Sequence, residues 1–416
     1  MQARYGDVFV LTVPPGLGPR RFVWATDPAS VRDTLTNADV FVKRSPVYRE
    51  MADALGDGLL TSEGDTWKAQ RRTLQPLFTR KRVQDYGAAF VDAARSVSSA
   101  WADGAQLDLD LHMQTLSLRS VGVTLFGMDA TDEVEPIVAS TGFLSGEVVK
   151  RGLSPVRLPR WLPTPLHRRL DQAEADLARR VDAIVDRGLE RDEERDDLVS
   201  LLLRVKDPET GQGLSDVEIR EQALVLLLAG YDTTSTALTF TLHLLGQHPQ
   251  IQERARVEVR DVLGDRDPTA EDVASLTYLR QVLDEGMRLY PSAYITSRLA
   301  VADTTVAGFD VPAGSVAAAS FYALHRNPHV WDDPDRFDPA RFEPAHVKER
   351  DPYAYLPFGG GSRSCIGNHF ALLEATLALA VLLQDWRFTA RVQDVPLTLG
   401  ITLRPAIPVM TEVTRA

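Results

Sequence analysis

Cysteine is nearly absent from this chain. Cys365 is the single one in 416 residues, which excludes an internal disulfide and fits a reducing, cytoplasmic setting. Long apolar runs are missing too. The best stretch, Ala223 to Tyr231, ends at Asp232 and is about half of what a bilayer span needs. Positive charge is in deficit: a formal net charge of −12 argues against a nucleic-acid partner, which selects a basic surface. The eight histidines show no metal-site spacing. Neither standard Gly-rich phosphate loop is present, so no nicotinamide or flavin domain is expected. Internal repeats and low-complexity tracts are absent. No signal peptide is read at the start, where the first ten residues run directly into a strand. What remains is ordinary for a globular protein, 44% hydrophobic and 25% charged, with length enough for a core that encloses a cofactor.

The patterning is mainly helical with a minor β portion. Alternation over Val8 to Val13 and Arg21 to Ala25, around Pro14-Pro15-Gly16, predicts a hairpin. From Asp27 to Leu203 the periodicity is helical, with its longest break at Gly152 to His167, where four prolines exclude a continuous helix. Basic residues flank that break, which carries Leu158, Trp161 and Leu162 and is a candidate lid over a buried site. A charged loop is expected from about Arg195. The box Ser215-Asp-Val-Glu218 opens a helix that runs to Leu245, stopped by Gly246 and Pro249. Some thirty residues give ~45 Å, enough to cross a domain as a buried axle. Another helix ends at Pro291, short strands follow over Leu299 to Ser320, and a Pro/Asp-rich loop leads to Cys365. The next helix begins at Cys365 to Asn368, and a β segment surrounds Leu399-Gly400-Ile401.

Four motifs carry chemistry. In Phe358-Gly-Gly-Gly-Ser-Arg-Ser-Cys-Ile-Gly367, glycines let backbone pass close to a large flat ligand. Arg363 favours a thiolate or pairs a ligand carboxylate. Thiolate ligation is one of the few ways a protein holds haem iron. A lone cysteine is otherwise a small buried hydrophobe. Ala229-Gly-Tyr-Asp-Thr-Thr234 puts a glycine, an acid and two threonines in the middle of the long helix, against propensity. The Thr233 hydroxyl can bond the Ala229 carbonyl and bend or open the helix. A kinked core helix with a satisfied Asp is the plainer reading. Glu285-Gly-Met-Arg288 places an acid and a base one turn apart, by itself a surface bridge of ~0.3–0.5 kcal/mol. Trp67-Lys-Ala-Gln-Arg71 aligns an indole and a guanidinium, both donors to a carboxylate.

Together these residues resemble the cytochrome P450 superfamily of haem-thiolate monooxygenases. The family pattern Phe-x-x-Gly-x-Arg-x-Cys-x-Gly is met at Phe358, Gly361, Arg363, Cys365 and Gly367. The resemblance implies the P450 fold, with a long helix over the haem, as a single domain spanning 1–416. It also implies haem b held by Cys365 as axial ligand, with Trp67, Arg71, Arg298 and Arg363 on its propionates. Asp232 and Thr233 match the oxygen-activation motif and are expected to deliver protons. Glu285, Arg288 and Arg341 are expected to form a structural triad that locks the loop before the cysteine. Substrate contacts are expected from Arg44 to Thr61, the proline-rich break, Leu226, Ala229, Ala293, Tyr294, Ile295, Thr296 and Ile401, with Tyr294 and Thr296 as donors.

The implied reaction inserts one oxygen atom of O2 into an apolar substrate such as a fatty acid, terpenoid or steroid. The implied redox partners are a ferredoxin or flavodoxin with an NAD(P)H-dependent reductase, docking on the basic patch Arg71, Arg72, Arg80, Lys81 and Arg82. A cytoplasmic monomer is expected. Relatives have a short helical lead before the first strand, which suggests residues upstream of Met1. Three alternatives stay open: a peroxide-driven peroxygenase, which normally replaces the acid–alcohol pair; a thiolate-haem isomerase or dehydratase, which often alters the same helix; and a haem-thiolate sensor, which needs no proton relay. Product formation with NADPH, ferredoxin and reductase separates a peroxygenase or a sensor from the monooxygenase.

Overall fold

A computed structural model describes residues 2–14, 19, 21–127, 134–189 and 198–416. The Pro15-Gly16 part of the predicted turn and the start of the expected charged loop near Arg195 lie outside the described residues. Among the described residues helices dominate, and four small sheets sit at the margins. The first residues are not all strand: Gln2–Tyr5 is a short helix before the strand Val8–Thr12.

The helix Asp216–Gln247 is the axle. Its capping box forms as the sequence dictates, with Ser215 Oγ accepting from the Glu218 N–H at 3.3 Å and Glu218 Oε2 accepting from the Ser215 N–H at 2.8 Å. At 32 residues it extends ~48 Å. It is long and apolar enough to cross a membrane on length and composition, yet 72% of its apolar window is buried within the fold. It packs along the helix Leu109–Phe126, and Gly230 permits the approach: a Cβ there would stand 2.9 Å from Val121 Cγ2. The helix Asn368–Asp385, which follows the cysteine loop, packs on the same core through a face of Leu, Ala and Val.

A five-stranded sheet flanks this core in the order Val8–Thr12, Arg21–Ala25, Val316–Ser320, Ile295–Ala300, Phe41–Val42. Val316–Ser320 is buried throughout and pairs parallel to Arg21–Ala25. Its antiparallel pairing with Ile295–Ala300 sets Arg298 opposite Ala317.

Two boundaries differ from the sequence reading. The proline-rich break is shorter, since Gly152 still belongs to the helix Val134–Leu153 and Pro165 opens the helix Pro165–Leu189. Proline is tolerated at a first helical position because that N–H has no intrahelical partner. In the segment read as helical, Ala105–Asp108 is a strand. It is made by pairing with the C-terminal strand Met410–Arg415, a partner some three hundred residues away that local periodicity does not reveal.

Candidate active site

Between the axle and the cysteine loop lies a cavity of about 370 Å³, lined mainly by apolar side chains. Cys365 stands on its floor. The loop is fixed by the Cys365 N–H donating to the Phe358 carbonyl at 2.9 Å. Gly361 needs to be glycine on two counts: its φ is +69°, and a Cβ would meet Leu35 O at 2.4 Å. The sulfur is accessible, but to the interior cavity, not to the outer surface. Burial pushes the thiol above its ordinary pKa, while the Gly367 N–H and the Arg71 charge pull it down. Those two groups are what would stabilise a thiolate here. Phe358, Arg363 and Gly367 line the same cavity, as do Trp67, Arg71 and Arg298.

The cavity gathers cations in an acidic protein. Arg71 donates to the Ser364 carbonyl at 2.8 Å. Arg298 is 4% exposed and donates to Thr296 Oγ1 and the Ser297 carbonyl, both neutral oxygens. Arg363 stacks over the Trp67 ring at 3.9 Å and pairs with Glu63 at 3.1 Å. Lys43, which sequence reasoning missed, also lines the cavity and lies over the Tyr48 ring. Burial lowers Lys43 to about 8, helped by Arg298 and Arg363 and opposed by Tyr48. For Tyr48, burial acts upward, but Lys43 and Arg298 outweigh it and bring the phenol down to about 8. Four cations against the carboxylate of Glu63 leave a surplus of positive charge that favours a bound dianion. A thiol floor, apolar walls and clustered cations fit haem, a flat apolar body with two carboxylates.

The opposite wall is the middle of the axle. Thr233 Oγ1 donates to the Ala229 carbonyl at 2.7 Å, yet the helix stays continuous through the motif, so the predicted opening does not occur. The Asp232 carboxylate is engaged elsewhere: it accepts from Thr402 Oγ1 at 2.6 Å and forms an ion pair with Arg404. Arg404 also reaches the Tyr231 hydroxyl at 3.4 Å, and Tyr231 bonds Thr141. Burial opposes the charge on Arg404, but Asp232 and Tyr231 more than compensate and push its pKa up. The sequence signal for these partners is slight: Thr402 stands just before the short hairpin arm Leu403–Pro405 and Arg404 in its middle. A double-mutant cycle of Arg404→Ala with Asp232→Asn should give a coupling of about 1–3 kcal/mol in thermal unfolding. Additive effects would show that the pair is not a unit.

Leu226, Ala229, Ile295, Thr296 and Ile401 line the cavity as expected for substrate contacts. Tyr294 does not: it is buried beside the wall, and its hydroxyl donates to the Gly400 carbonyl at 2.9 Å. Tyr294 lies just before the strand Ile295–Ala300, whose first two residues both line the cavity. Thr296 is also no open donor, because its hydroxyl is shared by Tyr48 at 3.0 Å and Arg298 at 2.8 Å. None of the residues 152–167 borders the cavity, and Trp161 is 80% exposed on the outer surface. The substrate contact expected from this segment is therefore not made; the helix Val134–Leu153 supplies that wall through Thr141, Leu144 and Ser145.

Away from the cavity, Glu285 and Arg288 are fully buried and paired through two bonds of 2.6 and 2.8 Å, with Arg341 at 3.4 Å. The basic patch is divided. Arg71 faces inward, Arg72 pairs with Asp207 and Glu209, and Arg80 and Lys81 are exposed.

The comparisons agree with this geometry. The cytochrome P450 family model matches residues 1–410. The chain is 39% identical over 375 residues to the cyclooctat-9-en-7-ol 5-monooxygenase of Streptomyces melanosporofaciens, covering 89% of this chain and 81% of that one. Pentalenene oxygenase of Streptomyces avermitilis is 34% identical over 387 residues, covering 92% and 85%. The crystal structure of the cytochrome P450DA heme domain matches with a TM-score of 0.88 at 29% identity, over 99% of this chain and 90% of that one. With a single thiol on the floor of a cation-rimmed apolar cavity and relatives of this kind along almost its whole length, the chain belongs to the cytochrome P450 family and is a haem-dependent monooxygenase.

Proposed function

We propose that this enzyme uses haem b to insert one oxygen atom of O2 into a cyclic terpenoid. The observation that carries the reaction is the placement of the lone Cys365 thiol across the cavity from Ala229 and Thr233. Support for the substrate class comes from the apolar walls and from relatives named for cyclooctatin and pentalenene chemistry. Haem bound here would supply oxygen binding and activation on the Cys365 thiolate. Arg71, Arg298, Arg363, Lys43 and Trp67 would hold its carboxylates.

The protein's own part is orientation and proton supply. Leu226, Ile295 and Ile401 pack against an apolar body, and the engaged hydroxyl of Thr296 offers it little polar anchorage. Thr233 presents a hydroxyl to the cavity from a fixed backbone position. Asp232, which also borders the cavity, is held by Thr402 and Arg404 and would supply the proton behind Thr233. Electrons arrive from a separate ferredoxin or flavodoxin and its NAD(P)H-dependent reductase, with the exposed Arg80 and Lys81 as steering charges for an acidic partner. A cytoplasmic monomer fits this reading.

Thr233→Ala should uncouple the enzyme, so that NADPH is consumed and peroxide released without product. Asp232→Asn should slow turnover, on the ~10²–10⁴-fold scale of general acid–base catalysis. Product analysis and peroxide assay with a cyclic terpene test both. Full coupling in both variants would contradict the assigned roles.

A further inference from the structure

The turn that carries Ile401 to the cavity joins two three-residue strands, Leu397–Leu399 and Leu403–Pro405. A lone two-stranded hairpin is marginal in water, so its seat depends on what it touches. Ile401 packs toward Tyr48, Met51 and Val148, while Leu399 on the near strand is 55% exposed. Packing therefore grips the tip on one side only. Directed hydrogen bonds supply the rest. The buried Tyr294 hydroxyl donates to the Gly400 carbonyl at 2.9 Å, and the Ile401 N–H donates to Ser145 Oγ at 2.7 Å. The Leu403 N–H adds a bond to the Ser292 carbonyl at 2.9 Å. Gly400 permits this close seat, because a Cβ there would clash with Ser145 Oγ. Tyr294 is itself anchored, its carbonyl accepting from the Tyr322 N–H at 3.0 Å. Burial pushes its phenol up to about 12, so it remains a donor at neutral pH. Neither Tyr294 nor Gly400 borders the cavity, whereas Ile401 does. A change at either one reaches a ligand only through the turn.

We propose that Tyr294 is a specificity-determining positioning residue that touches no ligand: through the Gly400 carbonyl it sets how far Ile401 reaches into the cavity, and so the bulk and pose of the molecule accepted. The phenol and Ser145 hold the turn from two elements, the segment before Ile295–Ala300 and the helix Val134–Leu153. Releasing the phenol leaves one of those grips, and Ile401 recedes with the turn. An apolar substrate takes its pose from the shape of the walls, so the turn also decides which carbon is presented for oxidation. That last consequence rests on the monooxygenase reading; control of ligand bulk rests only on a haem-loaded cavity.

Titration of the haem-loaded protein with imidazole and with the far bulkier clotrimazole, read by the Soret shift, tests this without turnover. The shift in the wild type checks the haem site, and the ratio of the two affinities in the variants checks the turn, so the two readings fail separately. Tyr294→Phe keeps the ring and removes only the bond. It should leave imidazole affinity unchanged and raise the clotrimazole-to-imidazole ratio by about fourfold or more, the worth of roughly one buried methylene. Ile401→Ala should raise the same ratio by opening the same wall. Should Tyr294→Phe load haem poorly, Gly400→Ala serves instead: its Cβ forces the turn off Ser145 and should move the ratio from outside the cavity. A purely structural role for Tyr294 would weaken both azoles alike. Equal weakening, a ratio unchanged or lowered in Tyr294→Phe, or a wild-type ratio in Ile401→Ala or Gly400→Ala would overturn the proposal.

Discussion

Glu285→Ala should remove most of the folded, haem-loaded protein. Glu285 is fully buried, and its carboxylate accepts from Arg288 at 2.6 and 2.8 Å and from the Asp338 N–H at 2.8 Å, with Arg341 at 3.4 Å. Arg288 extends the grip to the carbonyls of His325, Pro334 and Arg336. The pair thereby ties the helix Thr277–Leu289 to the loop that leads toward the cysteine. Deleting the carboxylate leaves a buried guanidinium without its counter-charge, a loss of ~3–5 kcal/mol. Total stability is typically about 5–15 kcal/mol, so the variant sits near its unfolding threshold. Soluble yield, haem-to-protein ratio and urea midpoint measure it. Glu285→Gln, which keeps an acceptor but not the charge, should fall between the two. A normal midpoint and full haem content in Glu285→Ala would reduce the triad to a dispensable bridge.

Local chemistry made parts of this molecule readable before the fold was in view. Ser215 and Glu218 cap the axle because their side chains and backbone lie three residues apart. Glu285 and Arg288 meet because they are one helical turn apart. The glycines around Cys365 announce a backbone that something crosses closely. Long-range choices were not readable in the same way. Asp232 takes its partners from residues about 170 positions later, Thr402 and Arg404. Lys43 ends an apolar strand, and only the sheet brings it beside Arg298 and Arg363. Tyr294 sits between the wall residues Ala293 and Ile295, but its hydroxyl is taken by the Gly400 carbonyl, 106 residues later.

Cys365 is the residue on which the whole account depends. It is the only thiol in the chain, so no other side chain can supply sulfur ligation. Replacing it by His offers a neutral nitrogen ligand in a pocket shaped for sulfur, and the push that favours O–O cleavage is lost. Monooxygenation should fall to background even where haem is retained. The most direct measurement is the absorption spectrum of the reduced protein under carbon monoxide, wild type against Cys365→His. The account predicts the long-wavelength Soret band of thiolate-bound haem in the wild type and its replacement by a shorter-wavelength band in the variant, with activity gone. The same spectrum and the same activity in both proteins would contradict it.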